Sequence, residues 1–438
     1  MHRIIEQAKQ RVDQAELYWS EDRQLTVSYE NYRLQQITEN DLSSVALRVI
    51  ADGRMGMVCG ITPDSDSLLD DACASATFGD KATFDFAPKA SYETLTTYDP
   101  ACAALTSDQI VEVCESVKDR IQKRLPDVAL RIISGRVTQN LSVATTRGAD
   151  AEGKTSSHYV YFAAPFKGAG MGVGRVALGT SKVTVDDALI DEFVEWYGWG
   201  EKLSTPSTGR LPVIIAPQAS FLLGVPLQFG LSGDAVLKGT SPLIDRLGEQ
   251  ILSDKLTLLD DPLREGLPGA RTFDDEGVPT QRKAIVDRGV ATEYLLDQRT
   301  AAALGGSSTG NGMKTALFGG GTESQPTPWA SNLIVEPGDT SFRGMIAGLD
   351  EGLLITSGMG FHSGNYPQGQ FSVQAVGFHI VGGQVVGRLA KTMVTGNIYE
   401  DFKHIRAMGS ELLPSAGSMF SNGWAPYILV DSLQVAGA

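Results

Sequence analysis

Ser204-Thr205-Pro206-Ser207-Thr208-Gly209-Arg210 is polar, carries Pro and Gly, and interrupts the apolar periodicity on both sides of it. Such a run reads as a linker, and it narrows the possible folds more than any other feature of the chain. It divides the 438 residues into segments 1–203 and 211–438, a length that suits two or three domains with real cores.

The first segment mixes two periods. Ile4, Ile5, Ala8, Val12 and Ala15 fall at helical spacing, and strand-like runs follow at Glu16-Leu17-Tyr18-Trp19 and Leu25-Thr26-Val27-Ser28-Tyr29. Val45, Leu47 and Val49 alternate up to Asp52-Gly53, a strong hairpin signal, after which Met55-Gly56-Met57-Val58 returns. Thr106 and Gln109 form a capping box ahead of Ile110, Val113, Cys114, Val117 and Ile121 on one helix face, with Pro126 just beyond. Strands are expected near 128–133, 141–145 and 159–164, then a helix over 186–196 burying Leu189, Phe193 and Trp196. A helix-on-sheet, α/β N-terminal domain follows.

Beyond the linker, Leu211-Pro212-Val213-Ile214-Ile215-Ala216 reads as a buried strand entering a helix from about Gln218, and 242–252 reads as another helix. Short apolar runs at 332–335, 352–355, 371–376 and 379–381, separated by Gly-bearing turns, give a β-rich, barrel or sandwich-like C-terminal domain. Asn397 and Glu400 cap a late helix with Ile398, Phe402 and Ile405 inside. The fold class is therefore α+β.

Charge and residue scarcity limit the chemistry. Lys and Arg number 37 against 52 Asp and Glu, a net charge of −15, so the overall field repels phosphate, and nucleic acid and anionic membrane are poor partners. The charged start Met1-His2-Arg3-Ile4-Ile5-Glu6 and the lack of an 18-residue apolar run predict a cytoplasmic protein without a membrane span. Cys59, Cys73, Cys102 and Cys114 form no Cys-x-x-Cys pair and fit reduced, mostly packed thiols. His2, His158, His362, His379 and His404 are far apart, so no two sit a helical turn from each other as a zinc peptidase helix needs. The best assembled pair is His362 with His379, and satisfied polar residues in a sheet are the commoner reading of both. His404, four residues after Glu400, reads as a surface charge pair.

Other motifs have bland explanations. Gly306-Ser307-Ser308-Thr309-Gly310 matches the Gly-x-Ser-x-Gly string of serine hydrolases, but a helix-like run precedes it where that motif needs a strand. Gly168, Gly170, Gly172 and Gly174 lack phosphate-loop spacing and read as close packing in a strand. Asp260-Asp261 and Asp274-Asp275-Glu276 lack EF-hand spacing and read as Asp-capped turns.

Taken in order, several segments resemble the TldD/PmbA family over nearly the whole chain. They are Leu47-Arg48-Val49-Ile50-Ala51-Asp52-Gly53-Arg54-Met55-Gly56, Asp260-Asp261-Pro262, Phe273-Asp274-Asp275-Glu276-Gly277-Val278 and Ser308-Thr309-Gly310-Asn311. Asn332-Leu333, Glu336-Pro337-Gly338, Gly396-Asn397 and Ala425-Pro426-Tyr427-Ile428-Leu429-Val430 continue the series. The resemblance implies dimers enclosing a cavity reached by unfolded peptides, and two kinds of subunit. One kind carries His-Glu-x-x-x-His on the helix opening the C-terminal domain, completed by a later Cys, and holds zinc. The other, PmbA/TldE-like, lacks these groups. The family has also been described as modulators of DNA gyrase, and the acidic charge of this chain gives no support for direct DNA contact.

Aligned through Gly233-Asp234 and Lys238-Gly239, the family's metal histidines fall on Gly224 and Phe229 and its general-base Glu on Val225. No Cys occurs after Cys114. These side chains supply neither lone pair nor carboxylate. The resemblance thus implies a PmbA/TldE-like subunit of a zinc peptidase that processes or degrades unfolded peptides. It would have no cofactor or catalytic residue of its own, zinc in a TldD-like partner, and a share of the dimer interface and peptide cavity. Ser308, Thr309, Gly310 and Asn311 are the expected peptide-contact loop. Two alternatives remain: a self-sufficient hydrolase with a site rebuilt around His362 and His379, and a non-enzymatic peptide-binding homodimer.

Overall fold

The computed structural model describes residues 1–65, 67–315, 320–361, 364–415 and 423–437. Six antiparallel strands, β1 (Gln14–Glu30), β2 (Arg33–Ala51), β3 (Arg54–Gly60), β4 (Arg131–Thr145), β5 (Asp150–Pro165) and β6 (Gly172–Gly179), form one sheet in the order β3-β2-β1-β4-β5-β6. The Asp-Gly hairpin is as expected: Ala51 pairs with Arg54, and Asp52 and Gly53 take φ of 50° and 69°. Both central residues of this tight turn are left-handed, which suits Asp and Gly.

Parity decides what each sheet face meets. Odd-numbered Ala15 and Leu17 of β1 pack with Val45, Leu47 and Val49 against helices α1 (His2–Ala8) and α2 (Leu68–Ala76). Further along β1, Leu25, Val27 and Tyr29 pack against α4 (Ser107–Gln122), the helix that follows the short α3 (Pro100–Ala103). Both halves of the Thr106/Gln109 capping box form, and α5 (Asp187–Trp199) is capped by Asp186, whose side chain accepts from Leu189 N. Ile190, rather than the expected Leu189, joins Phe193 and Trp196 in the core. The opposite sheet face, with Tyr18, Ala46, Leu141 and Val143, meets Phe273 from the second half of the chain.

In that second half, strands Glu351–Met359, Gly209–Ile215, Ile428–Ala436, Met393–Asn397 and Gln370–Val381 pair in turn, and the last pairs back to the first. The sheet thereby closes into a five-stranded ring, which removes the exposed edges of those pairings. A second sheet runs in the order Val290–Ala291, Lys283–Asp287, Leu258–Asp260, Leu333–Val335, Gly423–Ala425, Leu413–Pro414. Between ring and second sheet lies α6 (Phe221–Gly230), buried nearly all round, in one core with Val213, Leu353, Leu258 and Leu333.

Two expectations need correction. The opening helix ends at Ala8, and Ala15 belongs to β1, because Asp13 pins the chain to the hairpin through Gly53 N at 2.9 Å. Residues 242–252 form turns, not a helix: Asp245 and Gly248 take φ of 59° and 88°, and Ile251 N donates to Gly289 O instead. Left-handed residues at those positions end any helical hydrogen-bond ladder.

Candidate functional site

Helix α6 is where the family resemblance places zinc chemistry, and its side chains determine what it can do. Gly224 and Val225 are fully buried, and a Cβ on Gly224 would lie 3.1 Å from Leu333 Cδ2. Phe229 packs its ring against Trp329 (centroids 5.8 Å) and Tyr366 (5.2 Å), and Tyr366 in turn stacks on Phe361. Pro226 inside the helix gives up a backbone donor, while its carbonyl accepts from Tyr399 Oη at 3.4 Å. Carbon atoms fill the space where imidazole nitrogens and a carboxylate would be needed. These positions do not fit a zinc ion, which requires N, O or S donors converging at about 2.0–2.3 Å.

The acidic segment at 274–276 meets buried charges elsewhere, at the junction of the two halves. Glu16 and Arg48 face each other directly across β1 and β2, and Arg48 grips Glu16 through Nε at 2.8 Å and Nη2 at 2.7 Å. The same Nη2 donates to Glu276 at 3.0 Å, and all three side chains are almost entirely buried. Asp274 closes an Asp-capped turn, accepting from the backbone N of Glu276, Val278 and Gly312. Asp275 accepts from Arg271 at 2.6 Å and Lys314 N at 2.7 Å. Burial raises the Asp274 carboxyl to about 7 and Glu276 to about 8, and neighbouring carboxylates add to the rise at Glu276.

The expected peptide-contact loop feeds the same junction. Ser308 Oγ donates to Leu296 O at 3.1 Å, and among the described residues no histidine is bonded to it to act as the base of the hydrolase-like string. Thr309 Oγ1 donates to Asn311 Oδ1 at 2.8 Å, Gly310 has φ of 70°, and Asn311 Nδ2 donates to Asp260 Oδ2 at 2.6 Å and Trp329 O at 2.9 Å. The loop's polar groups therefore hold the turn in place.

The histidines do not assemble a centre among the described residues. Both ring nitrogens of His379 are engaged, by Ser204 Oγ at 2.7 Å and Glu351 Oε1 at 3.2 Å, and His362 lies outside the described residues. Buried His158 accepts from Val183 N at Nδ1, and desolvation lowers it to about 4. His404 is exposed, and the neighbour that pairs with Glu400 is Lys403. All four cysteines are free, with Cys102 and Cys114 buried.

A cavity of about 790 Å³ opens beside the junction, between β4–β5 and residues 267–273, with Gln139, Lys154, Arg271, Met313 and Ser331 on its walls. Its floor includes unusual backbone. Strand β6 covers β5 only from His158 onward. Just before that point Ser156 N donates to Thr97 O at 3.0 Å, and Thr97 Oγ1 donates to Lys154 O at 2.6 Å. Thr97 thus already bonds the edge of β5 that β6 leaves uncovered. Glu16, buried on a face otherwise read as apolar, and this uneven coverage of β5 were both missed in the sequence. The parity of Glu16 with Tyr18 was the available signal for the first.

Comparison with known proteins fixes the class. Residues 208–437 match the PmbA/TldA metallopeptidase C-terminal domain and residues 15–76 match PmbA/TldA metallopeptidase domain 1, and the chain belongs to the PmbA/TldD metallopeptidase family. It is 28% identical over 247 residues to a metalloprotease of Methanothermobacter thermautotrophicus, covering 54% of this chain and 52% of that one. With the metalloprotease PmbA of Escherichia coli O157:H7 it shares 29% identity over 232 residues, covering 53% and 47%. The chain spans about half the length of these curated relatives in the matched region. Its structure superposes on TldE from Thermococcus kodakarensis with a TM-score of 0.89 at 21% identity, covering 100% of both chains, which shows a shared fold.

Proposed function

We propose that this chain is the non-metal-binding, TldE-like subunit of a TldD/TldE-type zinc metallopeptidase that processes or degrades unfolded peptides. The observation that carries this reading is α6: Gly224, Val225 and Phe229 offer no ligand, and Leu333, Trp329 and Tyr366 pack against that helix. Zinc and the water it activates then belong to a TldD-like partner in a heterodimer, and this chain contributes interface and cavity wall. Extended substrate is held by backbone bonds along β5 beside the 790 Å³ cavity, a reading supported by the one backbone bond that Ser156 N already makes there to Thr97 O. Ser308, Thr309, Gly310 and Asn311 act there by seating Met313 on the cavity wall. A site rebuilt on His379 is disfavoured because Ser204 and Glu351 take both of its ring nitrogens.

The test is zinc content and peptidase activity of the purified chain, alone and mixed with a TldD-like subunit from the same cell. The expected result is no stoichiometric zinc and no turnover alone, with activity in a stable mixed dimer. Zinc and turnover in the chain alone would overturn the reading. Peptide binding by a stable homodimer that gains nothing from the partner would replace it with a peptide-binding role.

A further inference from the structure

A second cavity, of about 470 Å³, lies at the far end of the N-terminal sheet, between β6, α5 and the start of α6. Arg175, Trp196 and Gln218 line it, and each carries a polar atom without a hydrogen-bond partner among the described residues: Arg175 Nη2, Trp196 Nε1 and Gln218 Oε1. Three unpartnered atoms on one cavity are notable because buried polar groups are nearly always satisfied. The rest of Arg175 is firmly held. Its Nε donates to Glu192 Oε2 at 3.0 Å, its Nη1 donates to Gly174 O at 2.8 Å, and its guanidinium lies 3.8 Å over the Trp196 ring. Only 4% of the side chain is exposed, so Nη2 is fixed in place with no bond to make among the described residues.

We propose that this cavity is a carboxylate-binding subsite for the C-terminal end of an apolar peptide. Two buried N–H donors on one cavity, Arg175 Nη2 and Trp196 Nε1, suit the two oxygens of a carboxylate. A dianionic phosphate fits poorly, because Glu192 already neutralises much of the Arg175 charge. Tyr161, Phe221 and Phe378 supply apolar walls for the terminal side chain, and 470 Å³ is in the range of pockets that enclose a small ligand. Phe221 is also the first residue of α6, so a chain end held here lies beside the helix that replaces the zinc site. The inference rests on the peptide-handling reading and adds to it a direction: the substrate's carboxyl end points toward α6.

The test uses one apolar peptide made with a free C-terminal carboxylate and with a C-terminal amide, titrated by calorimetry and by Trp fluorescence into the full chain and into its complex with the partner subunit. The carboxylate form is expected to bind at least tenfold tighter, with that preference lost in Arg175→Gln and weakened in Trp196→Phe, which removes the Nε1 donor. Trp196→Phe leaves the Arg175–Glu192 pair intact and keeps the calorimetric test valid if Arg175→Gln misfolds. Equal binding of both forms would overturn the subsite and leave the peptide-handling reading standing. Failure of both forms to bind would overturn both. Competition by inorganic phosphate at lower concentration than the peptide would also overturn the subsite, showing a simple anion site.

Discussion

Arg48 and Glu276 stand 3.0 Å apart although they come from opposite halves of the chain, and the same Nη2 holds Glu16 at 2.7 Å. One buried guanidinium therefore pairs with the Glu16 carboxylate of its own sheet and takes the Glu276 carboxyl of the other half, which burial raises to about 8, as a further acceptor. Such a cluster is costly to form and more costly to break, since removing one member leaves the others charged and dry. Arg48→Met is expected to destabilise the protein by about 3–5 kcal/mol, and Arg48→Lys by less because it keeps the charge while losing the fork. Urea unfolding of the two variants checks this, and a change under about 1 kcal/mol for Arg48→Met would contradict it.

The raised acids set a pH dependence with a definite sign. Asp274 and Glu276 titrate near 7 and 8 in the fold, against ordinary unfolded carboxyl values near 4. Between those limits the folded state holds protons that the unfolded chain has released, so their contribution is greatest at low pH and is lost as pH rises through about 8. From about pH 5 to about 8 stability should fall, by up to about 1.4 kcal/mol per pH unit for each proton involved and most steeply below 7, and Glu276→Gln should flatten that slope. A flat wild-type profile in that window would count against the shifts.

His158 acts in the opposite sense. Its folded value near 4 lies below the ordinary 6.5, so its contribution is present above pH 6.5 and is lost as pH falls toward 4. The shift corresponds to something on the order of 3 kcal/mol. NMR titration of the imidazole should find it neutral at pH 5.5, with the proton on Nε2 because Nδ1 accepts from Val183 N. A midpoint near 6.5 would show the ring to be solvated.

Restoring the missing ligands to α6 should fail structurally before it succeeds chemically. A side chain at Gly224 meets Leu333 Cδ2 at 3.1 Å from its first carbon, and the imidazole of Gly224→His extends further into the same packing. Overpacking of this kind costs about 1–3 kcal/mol. Gly224→His with Phe229→His should lower the melting temperature and retain no stoichiometric zinc after dialysis. Retained zinc at unchanged stability would show that the helix has room that the packing denies.

How much of this could be read in the sequence depends on whether the residue that matters advertises its role. Thr106 with Gln109 and Asp52 with Gly53 use local chemistry, and each does in the fold what its spacing implies; Asn397 caps only a single turn, Ile398–Asp401, where Asp401 rather than Glu400 accepts from Asn397 N and Ile405 opens the next strand instead of lying inside the helix. The closure of the ring depends on pairing residues near 213 with residues near 353 and 430, and no local signal carries that. The 242–252 helix failed because left-handed backbone at Asp245 and Gly248 outweighed an apolar repeat. At the site, Gly224, Val225 and Phe229 have no chemistry to mark them, and only their alignment with the family drew attention to α6. Arg175 sits two residues after Val173 on the buried side of β6, a parity that shows burial and says nothing of the unpartnered atom at its tip.

The aromatic packing around Trp196 has a practical consequence for handling the molecule. Trp196 of α5 contacts Phe378 and Phe342, and Phe342 stacks on Tyr427 at 4.0 Å, so residues before and after 204–210 share one apolar cluster. A protease that nicks the backbone at 204–210 should therefore leave two pieces that travel together on a sizing column and part only in denaturant. An apparent single species after cleavage would be no sign of an intact chain, and fragments expressed separately should need each other to stay in solution.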